Sequence, residues 1–360
     1  MPLSSYVTLG NSGLRVSPMT LGTMTFGEDN GWGSSPQDSK RILAAYLERG
    51  GNSVDTANIY TNGHSEVIIG EHLAANRHLR DRIVLGTKFY WNLIAGDPNG
   101  GGPGRKGIIA QLDQSLRRLQ TDYVDIYWLH NFDPVAPMEE TLRTLDDLVA
   151  VGKVRYIGFS DTPAWATARA AMMSDFRGWI PITALQLEYS LLERSGEGEL
   201  LPMAQALGIG VMPWGPLAGG FLSGKYSGAT AGAKVDTTRT HKGSPTPSQY
   251  AVIDAVNAVA GEAGVSPAAA ALAWVCGRPG VSSTLLGART MQQLDANLTG
   301  LDIHLEADQI ARLSDVSRPV LNFPATNNAL YSRAARNGGT TVDGVPTELP
   351  TQLHADAPSW

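Results

Sequence analysis

Residues 123–160 read YVDIYWLH, then NFDPVAPMEETLRTLDDLVAVGK, then VRYIGFS. The outer runs, 123–130 and 154–160, are short and rich in Val, Ile and aromatic residues, which suits buried strands. Between them Leu142, Leu145, Leu148 and Val149 recur at helical spacing, and Gly152 closes the stretch. That is an amphipathic helix with a glycine beyond its end. Strand, helix and second strand form one βα repeat and predict parallel pairing.

The alternation extends outward in both directions. Six further strand runs are TLGTMTF (20–26), NSVDTA (52–57), RIVLGTK (82–88), ITALQLEY (182–189), IGVMPWG (209–215) and SSTLLGA (282–288). Ser35-Pro36 with Asp38 in the first turn, Thr162-Pro163 and Ser266-Pro267 each set a capping hydroxyl before a proline suited to the first helical position. In the first helix Ile42, Leu43, Tyr46 and Leu47 make one stripe, ended by Gly50-Gly51. Eight strands, each followed by a helix, close most economically into a (β/α)8 TIM barrel. A doubly wound open sheet would want fewer strands and a GxGxxG loop after the first, which the sequence lacks.

Two short alternating runs around Asn11-Ser12-Gly13 predict an N-terminal β-hairpin lid. Long segments follow the third strand (YWNLIAGDPNGGGPGRKG, 90–107) and the seventh (LAGGFLSGKY from 217, through about Pro247). In a barrel both emerge at the carboxyl face, where active sites lie. The barrel is expected over residues 1–319. Residues 320–360, rich in Asn, Thr, Gly and Pro, form a tail covering or flanking it.

Composition narrows the function classes. With 42% hydrophobic and 17% charged residues among 360, the chain can bury a sizeable core. Against 28 Lys+Arg stand 34 Asp+Glu, a net charge of -6, which disfavours nucleic acid and anionic lipid as partners. The single cysteine, Cys276, precludes an internal disulfide and reads as a buried inert thiol. The start MPLSSYVTLG has no basic segment and no apolar run, and no stretch reaches ~18 uninterrupted apolar residues. A cytoplasmic protein without membrane association is expected. His64, His72 and His78 read as solvated, His241 has no assignable partner, and no cluster has closed zinc-site spacing, so no metal is expected. No GxSxG elbow supports a serine hydrolase.

The carboxyl ends of the strands carry the chemistry. In order they present Asp55, Lys88, His130, Ser160 with Asp161, Gln186 to Tyr189, and Trp214, while Tyr60 lies on the loop leaving Asp55. Strand interiors are largely Val, Ile and Leu, so these groups converge on one rim. An ammonium near a phenol favours the phenolate and lowers its pKa. Lys88 supplies that charge, Asp55 orients Lys88, and His130 is placed to hydrogen-bond the phenol or a substrate oxygen. The set suits protonation of an alkoxide formed when hydride reaches a carbonyl.

These residues resemble the aldo-keto reductases. The likeness runs from the opening hairpin to about Asn297 on LGTMTFG, DTANIY, TK, WLH, GFS, LQLEYSLLER, PWGPLAGG and GARTMQQLDANL. It implies an NADP(H)-dependent (β/α)8 oxidoreductase with Asp55, Tyr60, Lys88 and His130 as catalytic tetrad and Tyr60 as proton donor. It further implies that Ser160 and Gln186 hold the nicotinamide carboxamide and that Trp214 stacks on the ring. Leu217, Gly219 and Lys225 would clamp the pyrophosphate, Arg289 would meet the 2′-phosphate, Gln293 and Asn297 would meet adenine, and Asp161 and Gly287 would belong to the same cofactor site. Two positions depart from the family: Asp161 stands where most members have Asn, and Gly215 replaces a usual Ser.

Phe26, Trp32, Tyr90, Trp91 and Phe132 are the expected substrate-pocket aromatics. Ketosugars, terpenoid or polyketide ketones and aromatic aldehydes all fit such a slot. A monomer or weak homo-oligomer acting on a small-molecule carbonyl is the expectation. Two rivals are a redox-sensing subunit of the potassium-channel β-subunit type, which keeps fold and cofactor, and a barrel lyase using Lys88 as a Schiff base.

Overall fold

The computed structural model describes residues 2–230 and 243–349; His241, part of the long segment after the seventh strand and the end of the tail lie outside the described residues. Strands β1 (Val7–Thr8) and β2 (Arg15–Val16) pair antiparallel as the opening hairpin. Eight strands follow: β3 (Met19–Gly22), β4 (Ser53–Asp55), β5 (Val84–Phe89), β6 (Val124–Leu129), β7 (Val154–Ser160), β8 (Ile182–Glu188), β9 (Gly210–Trp214) and β10 (Thr284–Leu286). All pair in parallel, in the order β10-β3-β4-β5-β6-β7-β8-β9. The outer strands meet through a parallel bridge from Val211 to Val281, and Ser282 N donates to Val211 O at 2.8 Å. The sheet is thus nearly closed into a (β/α)8 barrel.

Helices α1 (Pro36–Glu48), α2 (His64–Ala75), α3 (Arg105–Leu119), α4 (Met138–Ala150), α5 (Ala164–Arg177) and α6 (Leu200–Leu207) alternate with strands β3 to β9. Each lays an apolar stripe on the sheet; in α1 it is Ile42, Leu43 and Tyr46, in α4 Leu142, Leu145 and Leu148. Strict alternation ends after β9, where α7 (Pro247–Ala263) and α8 (Pro267–Cys276) both precede β10. After β10 come α9 (Met291–Leu298), α10 (Ala307–Val316) and, in the tail, α11 (Ala325–Asn337). Among the described residues no single helix is long and apolar enough to cross a membrane.

Two of the three Ser/Thr-Pro helix starts cap as expected: Ser35 Oγ accepts from Asp38 N and Ser266 Oγ from Ala269 N. Thr162 does not, because its hydroxyl donates to Ser160 O at 2.9 Å and α5 begins after Pro163. The run 20–26 is also shorter as a strand than its pattern predicts. Thr23 N still reaches Asp55 O, but Phe26 N then turns back to Thr23 O.

The hairpin closes the amino end of the barrel, opposite the loops that build the site. Leu9 and Val16 pack with Val84, Ile126, Trp128 and Met212, and a Cβ at Gly10 would lie 2.6 Å from Gly210 N. Inside, the Trp128 indole fills the space left by two strand glycines: a Cβ on Gly158 would sit 2.3 Å from the ring. Alanine cannot replace Gly158 without displacing that indole.

Candidate active site

Asp55 ends β4, Lys88 is the penultimate residue of β5, and both side chains are almost fully buried. Lys88 Nζ makes an ion pair with Asp55 Oδ2 and donates to Thr56 O at 2.9 Å and to Tyr60 OH at 3.0 Å. Gln186, near the end of β8, donates from Nε2 to the other Asp55 oxygen at 2.8 Å. Both carboxylate oxygens are therefore engaged, which fixes the carboxylate and through it the ammonium. Tyr60 begins a single turn after β4, and Lys88 Nζ lies 4.7 Å from its ring centroid. His130, just past β6, meets the Tyr60 ring edge to face with centroids 6.0 Å apart. The four residues expected to act together do come together.

The electrostatics correct one expectation. Burial raises the Tyr60 phenol above its ordinary 10.0 and outweighs the opposing pull of Lys88. The phenol is thus protonated throughout the neutral range, and its net shift is upward where the sequence suggested downward. Burial opposes the Lys88 charge, but Asp55 and then Tyr60 hold it above its ordinary value. Burial, with Lys88 second, drives His130 well below 6.5. A histidine buried in its neutral form supports folding above its ordinary pKa, and that support is lost as pH falls below it. His130 is accordingly expected to titrate below the ordinary histidine range, read from its ring proton shifts by NMR. A titration midpoint at or above 6.5 would contradict this.

Around this centre lie the residues expected to hold a cofactor. Ser160 and Gln186 are buried at the ends of β7 and β8, and Trp214 ends β9 half-buried. Asp161 Oδ1 accepts from Trp214 Nε1 at 3.0 Å, and Oδ2 accepts from Ser160 Oγ at 3.3 Å. Leu217 and Gly219 sit in the turn after β9, with Lys225 exposed beyond it. Gly287 is exposed after β10. Gln293 and Asn297 brace the strand-to-helix turn: Gln293 Oε1 accepts from Arg289 N at 2.9 Å and Asn297 Nδ2 donates to Gly287 O at 3.2 Å. Ser34 Oγ donates to Arg289 O at 3.0 Å, tying the first βα loop to the same turn.

The expected substrate aromatics divide. Trp91 is exposed and faces His130 edge to face at 6.4 Å, with Tyr90 against it at 6.3 Å. Phe132 packs on Trp165 at 5.6 Å, and Trp32 is half-buried in the first βα loop. Phe26 is no part of a slot: the turn that ends β3 early buries its ring completely in the core.

Several supporting residues escaped the sequence reading. Asn58 Nδ2 donates to Trp91 O at 3.1 Å and to Gln111 Oε1, which also accepts from Tyr90 N at 2.9 Å. That brace sets the Tyr90-Trp91 wall. Glu66, completely buried, accepts from Arg118 Nε at 2.6 Å and from Thr87 beside Lys88. A glutamate within SEVIIG was the available signal, since an acid in an apolar stripe needs a partner. Glu188, Glu193 and Ser195 join Asp161 and Gln186 in lining a cavity of about 280 Å³ at the ends of β7 and β8.

Elsewhere, His64 Nδ1 meets Asp29 Oδ2 at 2.8 Å, while His72 is half-buried with its Nε2 enclosed, so neither is simply solvated. Burial pushes the Cys276 thiol up to about 11, as an inert side chain requires.

The parallel barrel thus gathers Asp55, Lys88, Tyr60 and His130 at one rim, and sequence comparison supplies the class of protein. A sequence model of the aldo/keto reductase family matches residues 18–318, and the chain belongs to that family. Among its relatives, "Uncharacterized oxidoreductase YrpG" of Bacillus subtilis is 36% identical over 321 residues, covering 86% of this chain and 95% of the relative. "Aldo-keto reductase AMT2" of Alternaria alternata is 32% identical, covering 87% and 91%. "Norsolorinic acid reductase stcV" of Emericella nidulans is 34% identical, covering 87% and 81%. The protein is an oxidoreductase of a family that acts on small carbonyl substrates with nicotinamide cofactors.

Proposed function

We propose that the protein reduces an aldehyde or ketone to the alcohol with NADPH, Tyr60 giving the proton. The observation that carries the reading is the phenol of Tyr60 held 3.0 Å from the buried, charged Lys88 Nζ. A bound reduced nicotinamide supplies the hydride. A phenol with a raised pKa remains loaded with its proton, whereas the alkoxide left by hydride addition is a much stronger base than a phenolate. Proton transfer from Tyr60 to that oxygen is therefore downhill, and Lys88 stabilises the phenolate that remains. His130 Nδ1 is buried without a partner among the described residues, so Nε2 is the nitrogen available to the substrate oxygen. Lys88, with three hydrogen bonds and a full charge, lacks the free amine a Schiff base needs.

The residues present fit a nicotinamide dinucleotide. A Cβ at Gly287 would meet only Thr25, at 4.0 Å, and one at Gly220 would meet nothing, so backbone there lies open to a phosphate. Gly215, at φ +66, turns the chain between Trp214 and Leu217 without a side chain in the way. Ser160 and Gln186 suit the carboxamide, Trp214 the ring, and Lys225 the pyrophosphate. Arg289 suits a 2′-phosphate, for which a guanidinium is a bidentate match. Arg289→Ala is expected to weaken NADPH by roughly 10- to 100-fold and NADH by about twofold or less, read by calorimetric titration. Equal weakening of both nucleotides would remove the NADP(H) assignment.

For the substrate, the exposed Trp91 and the Phe132-Trp165 pair favour an aromatic aldehyde or aryl ketone. Location in the cytoplasm and action as a monomer or weak oligomer complete the proposal.

A further inference from the structure

Three neighbouring strands place a carboxylate at the edge of an indole. Asp161 follows the last residue of β7, and its backbone N extends the ladder to Gln186 O of β8 at 3.1 Å. Its side chain reaches past β8 to Trp214 at the end of β9, accepting the indole N–H at 3.0 Å. The second oxygen accepts the Ser160 hydroxyl at 3.3 Å. Both donors are neutral, and among the described residues Asp161 has no ion pair. The one ammonium close by, Lys88, is already paired with Asp55. The charge of Asp161 is therefore held in place and is not cancelled by a contact. The backbone of Asp161 is left-handed, at φ +47, a conformation that aspartate and asparagine tolerate better than other side chains with a Cβ.

We propose that Asp161 sets the balance between oxidised and reduced cofactor, its carboxylate stabilising the pyridinium cation of the oxidised nicotinamide over the neutral dihydropyridine. This rests on the reading above that the ring lies on Trp214. When a hydride leaves the ring with both electrons for the carbonyl carbon, and Tyr60 protonates the oxygen, the ring left behind is a cation. A fixed negative charge beside it makes the bound reduced cofactor a stronger hydride donor. Asp161 also holds the indole, and that part of its work depends on its acceptor oxygen and not on its charge.

Asp161→Asn separates the two. It is nearly isosteric, tolerates the left-handed backbone and keeps an oxygen for the Trp214 N–H; its amide nitrogen replaces the oxygen that accepts from Ser160, a hydroxyl that can turn to accept instead, so the charge is removed while both contacts keep a partner. Calorimetric titration of wild type and variant with NADP+ and with NADPH is expected to show NADP+ weakened by about fivefold to tenfold and NADPH by about twofold or less. The difference is expected to shrink at high salt, since Asp161 is open to solvent. Asp161→Ala, which also frees the indole, is expected to weaken both forms. An unchanged ratio of the two affinities in Asp161→Asn, whether neither form or both weaken, would overturn the proposal and leave Asp161 as a brace for Trp214. Failure of both nucleotides to bind the wild type would instead overturn the cofactor reading, and this inference with it.

Discussion

Tyr60→Phe is expected to lower kcat for carbonyl reduction by roughly 10²- to 10⁴-fold while the dissociation constant for NADPH moves by about twofold or less. The substitution removes one oxygen. The ring keeps its place against His130 and above Lys88, so the walls of the site stand. What is lost is the proton for the alkoxide, a contribution made only as the reaction proceeds. Steady-state rates with an aromatic aldehyde, beside calorimetric NADPH binding, measure both quantities. Loss of binding in parallel with loss of rate would mean that the hydroxyl shapes the site and does not protonate the product.

The second large effect is expected in stability. Lys88→Met leaves the Asp55 carboxylate almost fully buried with Gln186 as its remaining donor, and is expected to cost about 3–5 kcal/mol at neutral pH. Burial already raises the Asp55 pKa against the pull of Lys88. Without the ammonium it rises further. A carboxyl whose folded pKa lies above its unfolded value favours folding most below the unfolded value, and that advantage is lost as pH rises through the folded one. The deficit of Lys88→Met should therefore narrow as pH falls toward the range where Asp55 takes a proton. Adding Asp55→Asn should restore most of the stability but none of the activity. Denaturant unfolding of the single and double variants over a pH series checks this; a deficit that ignores pH, or survives Asp55→Asn, would mean that Lys88 stabilises by packing.

Much of this site is legible in sequence because a barrel turns strand ends into neighbours. Asp55, Lys88, His130, Ser160, Gln186 and Trp214 each close an apolar run, and parallel pairing alone puts them on one rim. Properties set by depth or by competing hydrogen bonds are not legible. Phe26 continues the pattern of the first run, yet a turn at Thr23 takes it into the core. Thr162 has the type and place of a cap but spends its hydroxyl on Ser160 O. The Tyr60 phenol moves opposite to its charged neighbour's pull because burial, which no local spacing encodes, is the larger cause. Gln293 and Asn297 look like ligand contacts, yet they hydrogen-bond to the backbone of Arg289 and Gly287. They shape the turn that would carry a phosphate.

The reaction at this site turns on the fate of one hydrogen. With NADPH deuterated at nicotinamide C4 on the transferring face, the wild-type protein and an aromatic aldehyde should yield an alcohol carrying one deuterium on its carbinol carbon. Mass spectrometry of that alcohol decides the matter. Alcohol without the label, or nucleotide left unoxidised across a panel of aldehydes and ketones, would contradict hydride transfer at this site.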